Sequence, residues 1–167
     1  MGHALVLCYH AISPHWPSSL AVAPDHFREH LELLLRHGYR GVTFAQAVLG
    51  DAPQRAMAVT FDDGFRSVYD HAWPILTELG IPGTVFVPTA LIGRPSPMSW
   101  PGIDEWEGTP YENELEGMSW EELRQLRDAG WEIASHGQTH PNLPELDQRA
   151  LADELTGSRD ERQQRVR

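Results

Sequence analysis

The sequence predicts an α/β fold built on a parallel sheet, either open or closed into a barrel. Three observations carry that prediction. Short apolar, β-rich runs alternate with segments of helical spacing, and alternating βα units set consecutive strands parallel. A chain of 167 residues with 41% hydrophobic content suits one domain, 1–167, with a genuine core. The residues able to do chemistry recur just after strands, where parallel sheets bind their ligands.

In chain order, "ALVLCY" (4–9) reads as the first strand, and Pro14, Pro17 and Pro24 mark a loop after it. Asp25 is expected to N-cap a helix with Phe27, Leu31, Leu34 and Leu35 at helical spacing and Gly38 as its stop. "YRGVTF" (39–44) and "AMAVTF" (56–61) read as the second and third strands. "FRSVYDHAWPILTELG" reads as a helix that Pro74 kinks, and "TVFVP" (84–88) as the fourth strand. Residues 89–118 form a long loop insertion rich in Pro, Gly, Trp and acidic groups. Such a loop inside a compact domain is usually functional or mobile. Ser119 and Glu122 make a capping-box signature for a helix ending at Gly130. "WEIAS" (131–135) is the fifth strand, and a polar helix fills most of 145–165, broken only by Gly157.

Composition removes several function classes. A net charge of −11 argues against nucleic acid and anionic membrane surfaces as partners. The single cysteine, Cys8, rules out an internal disulfide framework, and its apolar run predicts an inert buried thiol. "MGHALVLCYH" lacks the features of a secretion signal, and no run reaches the roughly 18 apolar residues of a membrane span. The expectation is a soluble cytoplasmic protein.

"AVTFDDGFRSVYD" places Asp62 and Asp63 side by side where a buried strand ends. Two like charges that close repel, and each resists leaving water. Either a cation sits between them, or one does proton chemistry, or both cap the next helix. "SHGQTHPNL" weighs on that choice. Nine histidines in 167 residues make one His-x-x-x-His pair unsurprising, and His26 and His30 share the spacing inside the first helix, away from the strand ends. His136 and His140 differ because Gly137 and Pro141 set them in a tight loop after the fifth strand. His10 follows the first strand. Two imidazoles and a carboxylate are the ligand set of catalytic zinc. With Asp63 on the cation, Asp62 stays ionised as a proton acceptor. The same three ligands also form the facial triad of non-haem iron enzymes, which has no use for a paired Asp-Asp before glycine.

"TFDDG" and "SHGQTHPNL", two βα steps apart, resemble the first two motifs of the polysaccharide deacetylase family, also called the NodB homology domain or carbohydrate esterase family 4. "LCYHAIS", "FREHLELLLRHGYRGVTF" and "MSWEELRQLRDAGWEIASH" are similar to its opening segment, first helix and approach to the histidine motif. The resemblance implies a distorted (β/α) barrel, here partial with about five parallel strands and helices outside. It implies Asp62 as catalytic base and Asp63, His136 and His140 as ligands of a divalent metal, most simply zinc. The implied reaction is hydrolytic removal of N- or O-linked acetyl groups from a glycan, usually one containing N-acetylglucosamine. His10 is placed by the resemblance near the pocket. Trp100, Trp106, Tyr111 and Trp120 offer a sugar-stacking surface, with core packing or a lid as the alternative.

The family's arginine or aromatic-proline-glycine motif and its leucine-histidine motif would follow beyond Arg167. The expectation is thus a domain truncated after the second motif. The alternative to an active hydrolase is then a non-catalytic metal- or glycan-binding fragment. Gly137 stands where serine or threonine is usual, which is expected to loosen the histidine loop. Five strands of a barrel leave apolar surface open, worth roughly 25 cal/mol per Å². The 167-residue chain is therefore expected to be a marginally stable monomer or to self-associate through the open barrel side. Sedimentation combined with a thermal melt checks this; a concentration-independent monomer melting above about 60 °C would count against it.

Overall fold

The computed structural model describes residues 4–50 and 52–166. Leu5, Leu7 and Tyr9 alternate with the more exposed Val6 and Cys8, the pattern of a strand covered on one face, and they form β1 (Leu5–Tyr9). Cys8 is exposed, which corrects the expectation of a buried thiol. A continuous apolar run does not reveal which of a strand's two faces is covered. The proline loop is closed by a short parallel ladder between β2 (Ala11–Ile12) and β3 (Ala21–Val22).

Helix α1 (Pro24–Arg36) starts two residues earlier than expected. Ala23 is its N-cap, without a side-chain hydrogen bond, and Asp25 lies in the first turn. Pro24 decides this, because a proline's missing N–H and fixed φ suit the first helical position. Strand β4 (Arg40–Val42) is short because Thr43 caps a helix the sequence pattern did not reveal, α2 (Phe44–Leu49), through a capping box with Gln46. Strand β5 (Ala56–Phe61) is buried throughout. A π-helical turn over Val68–Ala72 leads into α3 (Trp73–Leu79), so the irregularity lies directly before Pro74. Strand β6 (Gly83–Val87), the capping-box helix α4 (Trp120–Asp128) and strand β7 (Glu132–Ser135) fall where the sequence puts them. Helix α5 (Gln148–Arg165) runs unbroken through Gly157.

All sheet pairings are parallel. One edge of β5 pairs with β1 from Met57 to Phe61. Its other edge pairs first with β4 (Ala56–Ala58) and then with β6 (Val59–Phe61), and β7 follows beyond β6. The edge of β5 thus branches, with β4 on its first half and β6 on its second. Among the described residues no strand pairs the outer edges of β1 or β7.

Helices cover the outer face, where Tyr9, Phe27, Leu31, Phe61, Leu76, Val85 and Trp131 share one buried core. The inner face is polar low down. Thr84 Oγ1 accepts from Phe44 N at 2.9 Å and Glu132 Oε2 from Ala45 N at 2.8 Å, so the start of α2 plugs that end, with Phe44 edge-on to Phe86. Residues 89–118 are not a bare loop. They carry 3-10 turns at Asp104–Trp106 and Glu112–Leu115, and they bury Met98, Ile103 and Leu115 against Trp16 and Phe65 in a second core.

Gly83 has no room for a side chain, since an added Cβ would meet the Trp131 ring at 2.4 Å. That ring stacks on Phe61 with centroids 5.7 Å apart and cannot retreat freely. Gly83→Ala is expected to destabilise the chain by about 1–3 kcal/mol, the range for core overpacking, as read from the denaturant midpoint. An unchanged midpoint would show that the core relaxes more easily than its packing implies.

Candidate metal centre

Sheet register delivers half of the site. The ladders run one residue past the strands, with Asp62 N donating to Tyr9 O and His136 N to Val87 O, both at 2.9 Å. Asp62 and His136 therefore stand at fixed positions on the same rim of the sheet. Their partners lie just beyond the regular backbone. Asp63 (φ +69°) and His140 (φ +60°) adopt the left-handed conformation, which is uncommon outside glycine.

These turns bring Asp63, His136 and His140 together, with one ligand atom from each within 4.8 Å of the others. Asp63 Oδ1 lies 3.4 Å from His136 Nε2 and 3.1 Å from His140 Nε2. Neither approach has hydrogen-bond geometry, and Oδ1 is buried without a partner. A buried carboxylate oxygen with no donor is costly. An oxygen and two imidazole nitrogens converging on one point fit a divalent cation. The adjacent Asp63 carboxylate holds the His140 imidazole above its ordinary pKa, against the burial that lowers it. Among the described residues no backbone N–H donates to the side chain of Asp62 or Asp63, which speaks against the helix-capping reading of the pair.

Asp62 is half-buried, and its Oδ2 lies 3.4 Å from Cys8 Sγ, which donates to it. His10 lines a groove of about 440 Å³ together with Asp63, Trp100, Ile103, Trp106 and His140. The Trp100 ring packs on His140 with centroids 4.3 Å apart. Of the four aromatic residues read as a sugar surface, Trp100 and Trp106 line this groove. Tyr111 instead backs Trp106, and Trp120 packs against the main core. His26 and His30 stay on the exposed side of α1, where Tyr9 Oη meets His30 Nδ1 at 3.2 Å.

Two features escaped the sequence reading. Segment 89–118 is clipped to the turn that carries Asp63, through Met118 N to Gly64 O at 2.9 Å and Arg66 N to Glu116 O at 2.8 Å. Glu154 on α5 accepts from Gln138 N, Thr139 N and Thr139 Oγ1, within the loop joining the two histidines. Burial would raise its pKa, but these three donors hold the carboxyl below its usual value. The φ of Gly137, +82°, suits glycine, and an added Cβ there would come within 3.1 Å of Glu154 Oε2.

The family model described as polysaccharide deacetylase matches residues 49–166. The chain belongs to that family. A curated relative, YxkH of Bacillus subtilis (strain 168), is 26% identical over 157 residues, covering 89% of this chain and 48% of the relative. The poly-beta-1,6-N-acetyl-D-glucosamine N-deacetylase of Staphylococcus aureus (strain MRSA252) is 26% identical over 128 residues, 74% of this chain and 39% of that protein. The chain thus spans less than half the length of these relatives. Among solved structures, IcaB from Ammonifex degensii superposes with a TM-score of 0.74 at 25% identity, over 99% of this chain and 70% of that one. The Streptococcus pyogenes deacetylase PplD, in complex with acetate, gives 0.75 at 21% identity, over 98% and 69%. The parallel α/β fold is shared with these deacetylases.

Partial burial and the neighbouring Asp62 carboxylate push the Cys8 thiol up to about 11. The thiol is therefore reachable but protonated near neutral pH. Its alkylation by iodoacetamide at pH 8 is expected to be about 100-fold slower than that of a free cysteine, rising about tenfold per pH unit. Asp62→Asn should speed it. Alkylation of the folded chain at the free-cysteine rate would show that Asp62 does not hold the thiol proton.

Proposed function

We propose that this member of the polysaccharide deacetylase family is a metal-dependent hydrolase that removes acetyl groups from a glycan containing N-acetylglucosamine. The observation that carries the reading is the buried, unpartnered Asp63 Oδ1 facing two imidazole nitrogens, with a second carboxylate next to it in sequence. Asp63, His136 and His140 would hold the metal, most simply zinc given two nitrogen ligands and one oxygen. A cation there supplies polarisation of the acetyl carbonyl and acidification of a water molecule.

The remaining work belongs to the chain's own groups. Asp62 takes the proton of the attacking water as general base. The Cys8 thiol, donating to Asp62 Oδ2, steadies that carboxylate while leaving its other oxygen free. Trp100 and Trp106 give the groove apolar ring faces of the kind that sugars stack on, and His10 adds a polar group to its lining. The S. aureus relative, whose name gives a poly-N-acetylglucosamine substrate, supports reading the substrate as an amino sugar.

An acetate assay on short N-acetylglucosamine oligomers, with metal content measured on the same sample, tests the proposal. His136→Ala or His140→Ala is expected to lower bound divalent metal about tenfold or more, as loss of one ligand in three should. Asp62→Asn should keep the metal and lose acetate release by about 100-fold or more, the usual scale of a general base. Equal metal loss in Asp62→Asn would show that the division between base and ligand is wrong. Bound metal without acetate release by the unmodified chain would favour a binding role instead.

A further inference from the structure

The loop between His136 and His140 has its polar groups taken up from two directions. Its carbonyls are held from the segment after β6, with Thr89 N donating to Gly137 O at 3.1 Å and Ala90 N to Gln138 O at 2.9 Å. Its donors are held from α5. Glu154 Oε2 accepts from Gln138 N at 2.6 Å and Thr139 N at 3.1 Å, and Oε1 accepts from Thr139 Oγ1 at 2.6 Å.

Glu154 is only 9% exposed and forms no ion pair among the described residues. A buried carboxylate without a cation is an expensive way to attach a helix. An apolar side chain would do that more cheaply, but it could not collect three donors from two consecutive residues. The surroundings are shaped for the contact. Gly137 leaves room for the carboxylate, and Gly157 leaves room for the Gln138 side chain, which an added Cβ would meet at 2.3 Å. Two further bonds tie α5 to β7: Ser158 meets Ser135 at 2.7 Å, and Arg162 donates to Ile133 O at 3.1 Å. Ser135 Oγ also accepts from Gly137 N at 3.3 Å, so this route holds the start of the loop, while Glu154 holds its Gln138–Thr139 part.

We propose that Glu154 is a positioning residue for the metal centre, fixing the Gly137–Thr139 backbone so that His136 and His140 converge on Asp63. It touches neither histidine and acts through the loop alone. The inference rests on the metal-binding reading above. Its consequence is that loss of the carboxylate weakens metal binding out of proportion to any loss of stability.

The test is Zn²⁺ affinity, measured by competition with a chromophoric chelator, beside the melting temperature of the metal-free chain. Glu154→Ala is expected to lose about 10–100-fold in affinity, the scale seen when groups that orient metal ligands are removed. Glu154→Gln keeps the shape and an acceptor oxygen, and should recover most of that loss. Arg162→Gln removes a contact of the same helix outside the loop; it should lower the melting temperature but leave affinity within about twofold, as expected of a site away from the ligands. Should Glu154→Ala fail to fold, Thr139→Val removes a single donor and is expected to weaken binding about 3–10-fold. Affinity unchanged in Glu154→Ala or Thr139→Val, or lowered equally in Arg162→Gln, overturns the positioning role while the metal reading stands. An unmodified chain that binds no Zn²⁺ overturns both.

Discussion

The rest of the site depends on one buried oxygen. Asp63 Oδ1 has been taken out of water and given no hydrogen-bond donor, and two imidazole nitrogens face it at 3.1 and 3.4 Å. Asp63 and His140 both sit in left-handed backbone, a conformation that costs on the order of 1–3 kcal/mol per residue away from glycine. Such features persist only where the surroundings over-determine them. Here the surroundings are the parallel ladders, which run as far as Asp62 and His136. Each strand end thus gives one residue placed by register and one placed by a strained turn.

That division explains what the sequence could and could not disclose. Residues placed by register were legible, because the apolar runs that make strands end visibly at Asp62 and at His136. The capping box at Ser119 and Glu122 was legible because both partners lie within one turn. Helix α2 was not, since six residues give too little periodicity and its anchors, Thr84, Phe86 and Glu132, lie on β6 and β7. Glu154 was hidden for a similar reason. In a polar helix it resembles any solvated glutamate, and only the fold brings it to the Gly137–Thr139 amides. Gly157, which looks like a helix break, marks the place where Gln138 comes close.

Segment 89–118 shows that missing periodicity need not mean mobility. Its order comes from aromatic contacts rather than repeated backbone geometry. Trp16 meets Phe65 and Trp106 with centroids 5.6 and 5.8 Å apart, and Phe65 meets Trp100 at 6.2 Å. Phe65 follows the Asp-Asp-Gly turn directly and bridges to Gly117, so this second core grips the turn from outside the sheet. Trp100 then carries the contact on to His140. The two histidine-side supports are chemically unlike: an aromatic ring packs on one imidazole, and a carboxylate holds the backbone between both.

The sheet's two faces divide the labour accordingly. The outer face is apolar and covered by helices, and it supplies the burial that offsets the strained turns. The inner face carries hydroxyls and carboxylates whose hydrogen bonds are met by backbone: Thr60 Oγ1 to Leu7 O, Phe44 N to Thr84 Oγ1, Ala45 N to Glu132 Oε2. Cys8 lies beside Thr60 in the ladder and passes its weak donor up to Asp62. These satisfied polar groups lead along the inner face to Asp62, one of whose oxygens the thiol contacts. An apolar inner face would leave Asp62 without that support, and a face of unsatisfied donors would compete for its oxygens. Stability is set on one side of the sheet and the chemistry of the rim on the other, which lets a modest core carry a strained site.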